Sequence, residues 1–124
     1  YLQDWTNKRN YIARKYTASL INIKNLQVPC IKEHSTSAFH LYVIHTKKRD
    51  QLAEYLRKYN IATGMHYPIP IHLQEAYLYL GHKKGDFINS EKNANECLSL
   101  PIYPEMSDSQ IHRVIEIVTN FFNK

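Results

Sequence analysis

The strongest local constraint in the sequence is a pair of prolines two residues apart, Pro68 and Pro70. Neither residue has a backbone N–H and each ring fixes φ, so the segment cannot be helical and fits poorly inside a sheet. We therefore predict a stiff, extended and irregular loop. His66, Tyr67 and His72 flank the two prolines, which makes this loop the first candidate for a functional site.

The loop carries side chains that suit ligand binding. A rigid loop holds polar groups at fixed positions. The His66 imidazole can exchange protons near neutral pH, and Tyr67 offers an aromatic face and a hydroxyl to a sugar, nucleotide or phosphate. The alternative is that both side chains only cover a hydrophobic edge, and composition by itself favours it. The spacing of the residues does not define a catalytic triad built on Ser or Cys, and it does not define a pair of carboxylates.

Composition excludes several classes of protein. With 124 residues, 44% hydrophobic and 22% charged, the chain has the make-up of one globular domain. Its three glycines, Gly64, Gly81 and Gly85, cannot form a Rossmann or P-loop phosphate cradle. Because there is no apolar run of about 20 residues and no visible signal peptide, we expect a cytoplasmic protein without a membrane partner.

Neither metal nor disulfide chemistry is indicated. Cys30 and Cys97 allow one disulfide, but two reduced thiols are the simpler interpretation. The seven histidines do not form an H-E-x-x-H motif, and the cysteines lack zinc-finger spacing. We therefore expect no metal site.

The formal charge of +5 lies entirely in the first quarter of the chain. Residues 1–32 hold six Lys and Arg against Asp4 alone, whereas residues 33–124 hold ten basic and ten acidic groups. An amphipathic basic segment could contact nucleic acid, a membrane surface or an acidic partner. Its charge density is below that of usual nucleic-acid binders, so a solvated face is favoured and no nucleic-acid partner is expected.

Hydrophobic patterning predicts the first half of the fold. A helix over residues 4–21 would place Trp5, Ile12, Tyr16 and Leu20 on its apolar face. Aromatic and β-branched residues predict a strand over 39–46, and a shorter strand is predicted over 61–67. Between them, Asp50 can cap a helix that runs to about Asn60.

Three more helices are predicted after the proline loop. One spans residues 73–80 and ends at Gly81, and one spans residues 90–98. The last begins at a capping box formed by Ser107 and Gln110. This order predicts an α+β fold in which a small antiparallel or mixed sheet has helices packed on one side.

An ordered series of motifs also resembles a known family. The series is Phe39-His40-Leu41-Tyr42-Val43-Ile44, Thr63-Gly64-Met65-His66-Tyr67-Pro68-Ile69-Pro70-Ile71-His72-Leu73-Gln74, Gly85-Asp86-Phe87 and Leu98-Ser99-Leu100-Pro101. It resembles the C-terminal end of the DegT/DnrJ/EryC1/StrS family, whose members are pyridoxal-phosphate (PLP)-dependent aminotransferases acting on nucleotide-linked keto-sugars.

The resemblance implies a fold and a domain organisation. The family has the aspartate-aminotransferase fold, with a large cofactor domain and a smaller C-terminal domain. On this basis residues 1–28 are a linking helix from the large domain, and residues 29–124 are the C-terminal small domain. Family enzymes are usually homodimers with shared active sites.

The sequence also departs from the family pattern at one point. The family's Schiff-base lysine lies in the large domain, in a Ser-Phe-His/Asn-type segment that ends in Lys. None of the eleven lysines here lies in such a segment. We therefore assign no catalytic residue to this chain and expect PLP to be bound mainly by the large domain, so that the chain alone is inactive.

By resemblance, the proline loop faces the active site or its dimer boundary. This makes His66, Tyr67, His72 and Gln74 the substrate-binding candidates, whereas His40 is interpreted as structural. The implied reaction converts a nucleotide-linked keto-sugar to an amino-sugar with glutamate as donor, for cell-surface polysaccharide such as lipopolysaccharide or for natural-product sugars. The alternative is a stand-alone, non-catalytic binding or regulatory module of the same fold.

Overall fold

The computed structural model describes residues 1–123, which form four α-helices, two 3₁₀ helices and a two-stranded sheet. The elements in chain order are α1 (Leu2–Leu20), β1 (Tyr42–His45), α2 (Arg49–Lys58), the 3₁₀ helices Ile71–Leu73 and Glu75–Leu80, α3 (Ile88–Glu96), β2 (Cys97–Leu100) and α4 (Asp108–Phe122). The predicted α+β class is confirmed.

The sheet is antiparallel and consists of β1 and β2, with Tyr42 opposite Leu100 and His45 opposite Cys97. Single bridges add Gln27 to β1 and Gly64 to β2. The strand predicted over residues 39–46 is present but shorter, because Phe39 has a φ of +43° and so leaves the extended region.

The second predicted strand, over residues 61–67, is wrong. Only Gly64 pairs with β2, through two backbone hydrogen bonds with Ser99. The chain reaches this point from Asn60, which has a φ of +60°. Pro68 and Pro70 follow too soon for the pairing to extend, because they lack the N–H groups that a ladder needs.

Two of the predicted helices also need correction. Residues 73–80 belong to two 3₁₀ helices, because Gln74 is extended with a ψ of 141° and interrupts the helical path, although Gly81 ends the second one at φ +76°. The helix predicted over 90–98 ends at Glu96, and β2 begins at the next residue, Cys97. All four residues of β2 are buried, so it has no alternating pattern that a sequence could show.

An apolar core joins α1, α2, α4 and the sheet. Ile12, Tyr16 and Leu20 of α1 are buried in it, whereas Trp5, predicted on the same face, is 43% exposed. The Tyr16 hydroxyl donates to the Pro101 carbonyl over 2.8 Å, and burial raises the pKa of Tyr16.

The predicted helix cap is confirmed at α4 but not at α2. At α4 the Ser107 side chain accepts from the Gln110 backbone and the Gln110 side chain accepts from the Ser107 backbone, which confirms the capping box. The cap position of α2 is Lys48, so Asp50 lies in the first turn, where it pairs with Arg49. An acidic residue there still favours the helix dipole.

The two faces of the sheet differ. Tyr42 and Ile44 of β1 point into the core and are fully buried, while Val43 and His45 are half-buried on the other face. That second face is covered by α3 and the proline loop, which share a cavity with Val43 and His45. The helices therefore lie on both sides of the sheet, and the expected one-sided arrangement is wrong.

None of the helices within residues 1–123 combines the length and apolar character that a membrane crossing requires. The same part of the chain has no cluster of His, Cys, Asp and Glu arranged to hold a metal ion. Cys30 is exposed and Cys97 is buried, and neither is in a disulfide.

Candidate functional site

The candidate site is a small cavity of about 220 Å³ between the proline loop and the second face of the sheet. Its polar lining comes from His66, Tyr67 and Gln74 of the loop, His45 of β1, and Ser90 and Asn93 of α3. Three of the four predicted substrate-binding residues are thus brought together.

The position of His66 is set by the neighbouring strand. Its Nδ1 lies 2.9 Å from the hydroxyl oxygen of Ser99 in β2. Gly64 and Ser99 exchange two backbone hydrogen bonds of 3.1 and 2.8 Å, which hold the start of the loop against β2. A Cβ on Gly64 would lie only 2.6 Å from Cε1 of His66, so the ring occupies the space that this glycine leaves.

Tyr67 is the most accessible of the three residues. It is 72% exposed, and its ring meets that of His66 edge to face at a centroid distance of 5.5 Å. The peptide bond between the two residues is cis. An exposed aromatic face with a phenol is a suitable surface for stacking on a sugar or a base and for hydrogen bonding.

Gln74 lines the cavity and also braces the loop. Its side-chain amide donates to the Ile69 carbonyl over 3.2 Å. This bond joins the two ends of the segment that contains Pro70. Gln74 is half-buried, so part of its side chain remains accessible from the cavity.

His72 does not line the cavity with the others. It is 7% exposed, its Nε2 lies 3.0 Å from Oε1 of Glu91, and its ring contacts the tilted ring of Phe87 at a centroid distance of 4.8 Å. The same Glu91 oxygen accepts from the Gly85 backbone N–H over 2.7 Å, and this bond, with that to His72, lowers the pKa of Glu91. In this structure His72 ties the loop to α3.

The cavity includes residues that the sequence did not single out. His45, Ser90 and Asn93 line it, and Ser99 contacts His66. Burial lowers the pKa of His45, which favours its neutral form. The sequence predicts a strand that includes His45. Because alternate residues of a strand face opposite sides, this position could have indicated that His45 faces away from the core.

The donor set of the cavity suits an uncharged polar ligand. Imidazole, phenol, amide and hydroxyl groups are hydrogen-bond partners for sugar hydroxyls. Among residues 1–123 the lining includes no lysine and no arginine. The cavity therefore lacks an amine for the aldehyde of PLP and a cation for its phosphate, so these residues do not form a PLP site by themselves.

A larger groove of about 1100 Å³ lies between α1 and the segment 29–39. Arg9 and Asn10 hold this segment through bonds of 2.8 and 2.9 Å to the carbonyls of Ala38 and Ser37. None of the predicted substrate-binding residues lines the groove. The exposed His40 lies outside both cavities.

Comparison with known proteins gives a consistent result. The model of the DegT/DnrJ/EryC1/StrS aminotransferase family matches residues 1–119. A "pleiotropic regulatory protein" of Geobacillus stearothermophilus is 38% identical, with 98% of this chain and 33% of the relative covered. The dTDP-3-amino-3,6-dideoxy-alpha-D-galactopyranose transaminase of Aneurinibacillus thermoaerophilus is 37% identical, with 98% and 32% covered.

Solved structures agree with these relatives. DesV of S. venezuelae, in complex with a ketimine intermediate, superimposes with a TM-score of 0.96 at 30% identity and covers 98% of this chain and 33% of its own. Other solved structures that match the fold were determined in PLP and PMP forms. The chain thus spans about a third of the length of the relatives it matches.

Proposed function

Because this chain belongs to the DegT/DnrJ/EryC1/StrS aminotransferase family, we propose that the protein containing it converts a nucleotide-linked keto-sugar into an amino-sugar. The observation that carries this proposal is the family match over residues 1–119. Two relatives named as dTDP-amino-sugar transaminases support the substrate class. Glutamate is the proposed amino donor, and the products would serve cytoplasmic synthesis of cell-surface polysaccharide, such as lipopolysaccharide, or natural-product sugars.

The role proposed for this chain is to shape the substrate pocket. His66, Tyr67 and Gln74 line one cavity and would contact the sugar or its nucleotide. His72, which binds Glu91 instead, would act by keeping the loop in place. We retain the division into a linking helix over 1–28 and a C-terminal small domain over 29–124 as part of this proposal.

The proposed cofactor is PLP, which serves as an electron sink in transamination. Since the cavity offers neither a lysine nor an arginine, the cofactor and its lysine would be held by a large domain of the longer protein. A homodimer with the loop near the subunit boundary belongs to the same proposal.

The test uses the product of the complete gene, purified with PLP. We expect the absorbance of an internal aldimine and, with a dTDP- or UDP-linked keto-sugar and glutamate, formation of the amino-sugar detected by mass spectrometry. Residues 1–124 alone serve as the control and should give neither signal. Absence of both signals from the complete protein would refute the proposal.

The second candidate is a stand-alone binding or regulatory module. It is favoured by one observation, the name "pleiotropic regulatory protein" of the relative that is 38% identical. Titration of residues 1–124 with a dTDP-sugar, followed by NMR, separates the two candidates. Binding by this chain, together with a complete gene product that shows no aldimine absorbance, would favour the module.

A further inference from the structure

We propose that Ser99 is a positioning residue that holds His66 in the tautomer with its proton on Nε2. His66 would then offer the ligand a hydrogen-bond donor rather than a base. The inference rests on the proposed function only in taking the cavity lined by His66 as the substrate site. The tautomer itself is a property of this chain and is measurable without a substrate.

The Ser99 side chain is buried in the sheet. Ser99 is 5% exposed and lies in the middle of β2. A buried hydroxyl that does not donate a hydrogen bond carries a desolvation cost, so its proton needs an acceptor. Its backbone N–H and C=O are already bonded to Gly64.

An acceptor for the Ser99 hydroxyl proton lies close by on His66. Within residues 1–123, the only side-chain hydrogen bond of Ser99 is the 2.9 Å contact with Nδ1 of His66. The hydroxyl therefore donates and Nδ1 accepts. In a neutral imidazole one nitrogen accepts while the other carries the proton, so the proton lies on Nε2.

The His66 ring lies against both Ser99 and Gly64. The ring is in contact range of Gly64, where a Cβ would meet Cε1 at 2.6 Å and Nδ1 at 3.3 Å. The ring is therefore held by the Ser99 hydroxyl at Nδ1 and by the Gly64 backbone below it. In the described part of the chain Nε2 has no hydrogen-bond partner, and His66 is exposed at the cavity.

The chemical consequence is a defined ligand class at this position. An Nε2–H donor matches an oxygen acceptor, such as a sugar hydroxyl, a carbonyl or a phosphate oxygen. Burial lowers the pKa of His45 on the same cavity, which favours its neutral form. The cavity would thus recognise the oxygen atoms of a sugar by hydrogen bonds.

The direct test is NMR of uniformly ¹⁵N-labelled residues 1–124, with long-range ¹H–¹⁵N correlations that identify the protonated nitrogen of each imidazole. We expect His66 of the unchanged chain to be protonated on Nε2. In Ser99→Ala that preference should be lost and the ring signals should change, whereas Ser99→Thr, which keeps a hydroxyl, should restore it. Ser19→Ala, which removes an exposed hydroxyl on α1, is the matched control and should change nothing at His66.

Two NMR outcomes would overturn the inference. One is a proton on Nδ1 in the unchanged chain, and the other is an unchanged His66 tautomer in Ser99→Ala. Backbone amide spectra of each variant show that it is folded, so that a loss of structure is not mistaken for a loss of the tautomer.

A second experiment uses the complete gene product. Ser99→Ala should raise KM for the nucleotide-sugar about tenfold, the usual effect of one lost hydrogen bond to a ligand, while kcat changes less. An unchanged KM would contradict the positioning role. A complete protein without transaminase activity would refute the proposed function and leave the NMR result standing, so the two failures are distinguishable.

Discussion

Nε2 of His72 lies 3.0 Å from Oε1 of Glu91, and both side chains are largely enclosed by the protein. This contact joins the first 3₁₀ helix after the proline loop to α3, across 19 positions of sequence. Because α3 and the loop cover the same face of the sheet, the contact links the two elements that enclose the candidate site. His72 itself is not among the residues that line the cavity.

Replacement of His72 should therefore destabilise the chain. His72→Ala removes a largely buried hydrogen bond and the ring contact with Phe87, and we expect it to lower the free energy of unfolding by about 2 to 3 kcal/mol. His82→Ala is the matched control, because His82 also contacts Phe87 but is 41% exposed. Its effect should be below about 0.5 kcal/mol. Urea unfolding followed by circular dichroism measures both, and equal effects would contradict this role.

Acid should weaken the same contact. The pKa of Glu91 is lower in the folded chain than its ordinary value of 4.5, mainly through the Gly85 amide and His72. The stabilisation by Glu91 is therefore fully present above pH 4.5 and is lost as the pH falls through the folded-state pKa. Melting temperatures from pH 7 to pH 3 should fall less steeply in Glu91→Gln than in the unchanged chain. Glu33→Gln, at an exposed position, should retain the original slope.

Gly64 and Gly81 should respond to alanine in opposite ways. In Gly64→Ala the new Cβ would displace the His66 ring, so the His66 NMR signals should shift while the fold is retained, because His66 is exposed and can move. Gly81 has a φ of +76° with open space around it. Gly81→Ala should therefore cost about 1 to 2 kcal/mol of stability from backbone strain and leave His66 unchanged. A His66 spectrum that is unaffected by Gly64→Ala would contradict the packing described here.

Tyr67 should matter for binding and not for folding. It is 72% exposed, so Tyr67→Ala should change the unfolding free energy of this chain by less than about 0.5 kcal/mol. In the complete protein, Tyr67→Phe should raise KM for the nucleotide-sugar while the cofactor absorbance is retained. Tyr79→Phe, on a residue that is 80% exposed and outside the cavity lining, provides the comparison. Equal kinetic effects of the two variants would argue against a binding role for Tyr67.

The two cysteines should differ in reactivity. Cys30 is exposed, whereas Cys97 is 3% exposed in β2 beside the cavity. A thiol reagent such as DTNB should modify one cysteine of the native chain within minutes and the second only in denaturant. Cys30→Ser should abolish the fast phase. Two fast phases in native Cys30-containing protein would show that β2 opens readily.

The helices illustrate what local patterning can predict. In α4 the pattern of Ile111, Val114 and Val118 and the capping box at Ser107 all come from residues within a few positions of one another. The structure confirms this helix, because helical hydrogen bonds and caps are local interactions. Trp5 of α1 has the correct spacing but is exposed, because the core does not extend to that end of the helix.

The sequence by itself determined the α+β class, the positions of α1, α2 and α4, the irregular proline loop and the family resemblance. The first three depend on residue spacing and on the backbone limits of proline, and the resemblance depends on the motif series, so none of them requires knowledge of the spatial neighbours. Only the tertiary structure decided that β2 exists, that His66 meets Ser99 33 positions away, and that His72 binds Glu91 instead of lining the cavity. Each of these depends on which distant segments are packed together, and a uniformly buried strand or an isolated polar residue carries no local periodicity that reveals its partner.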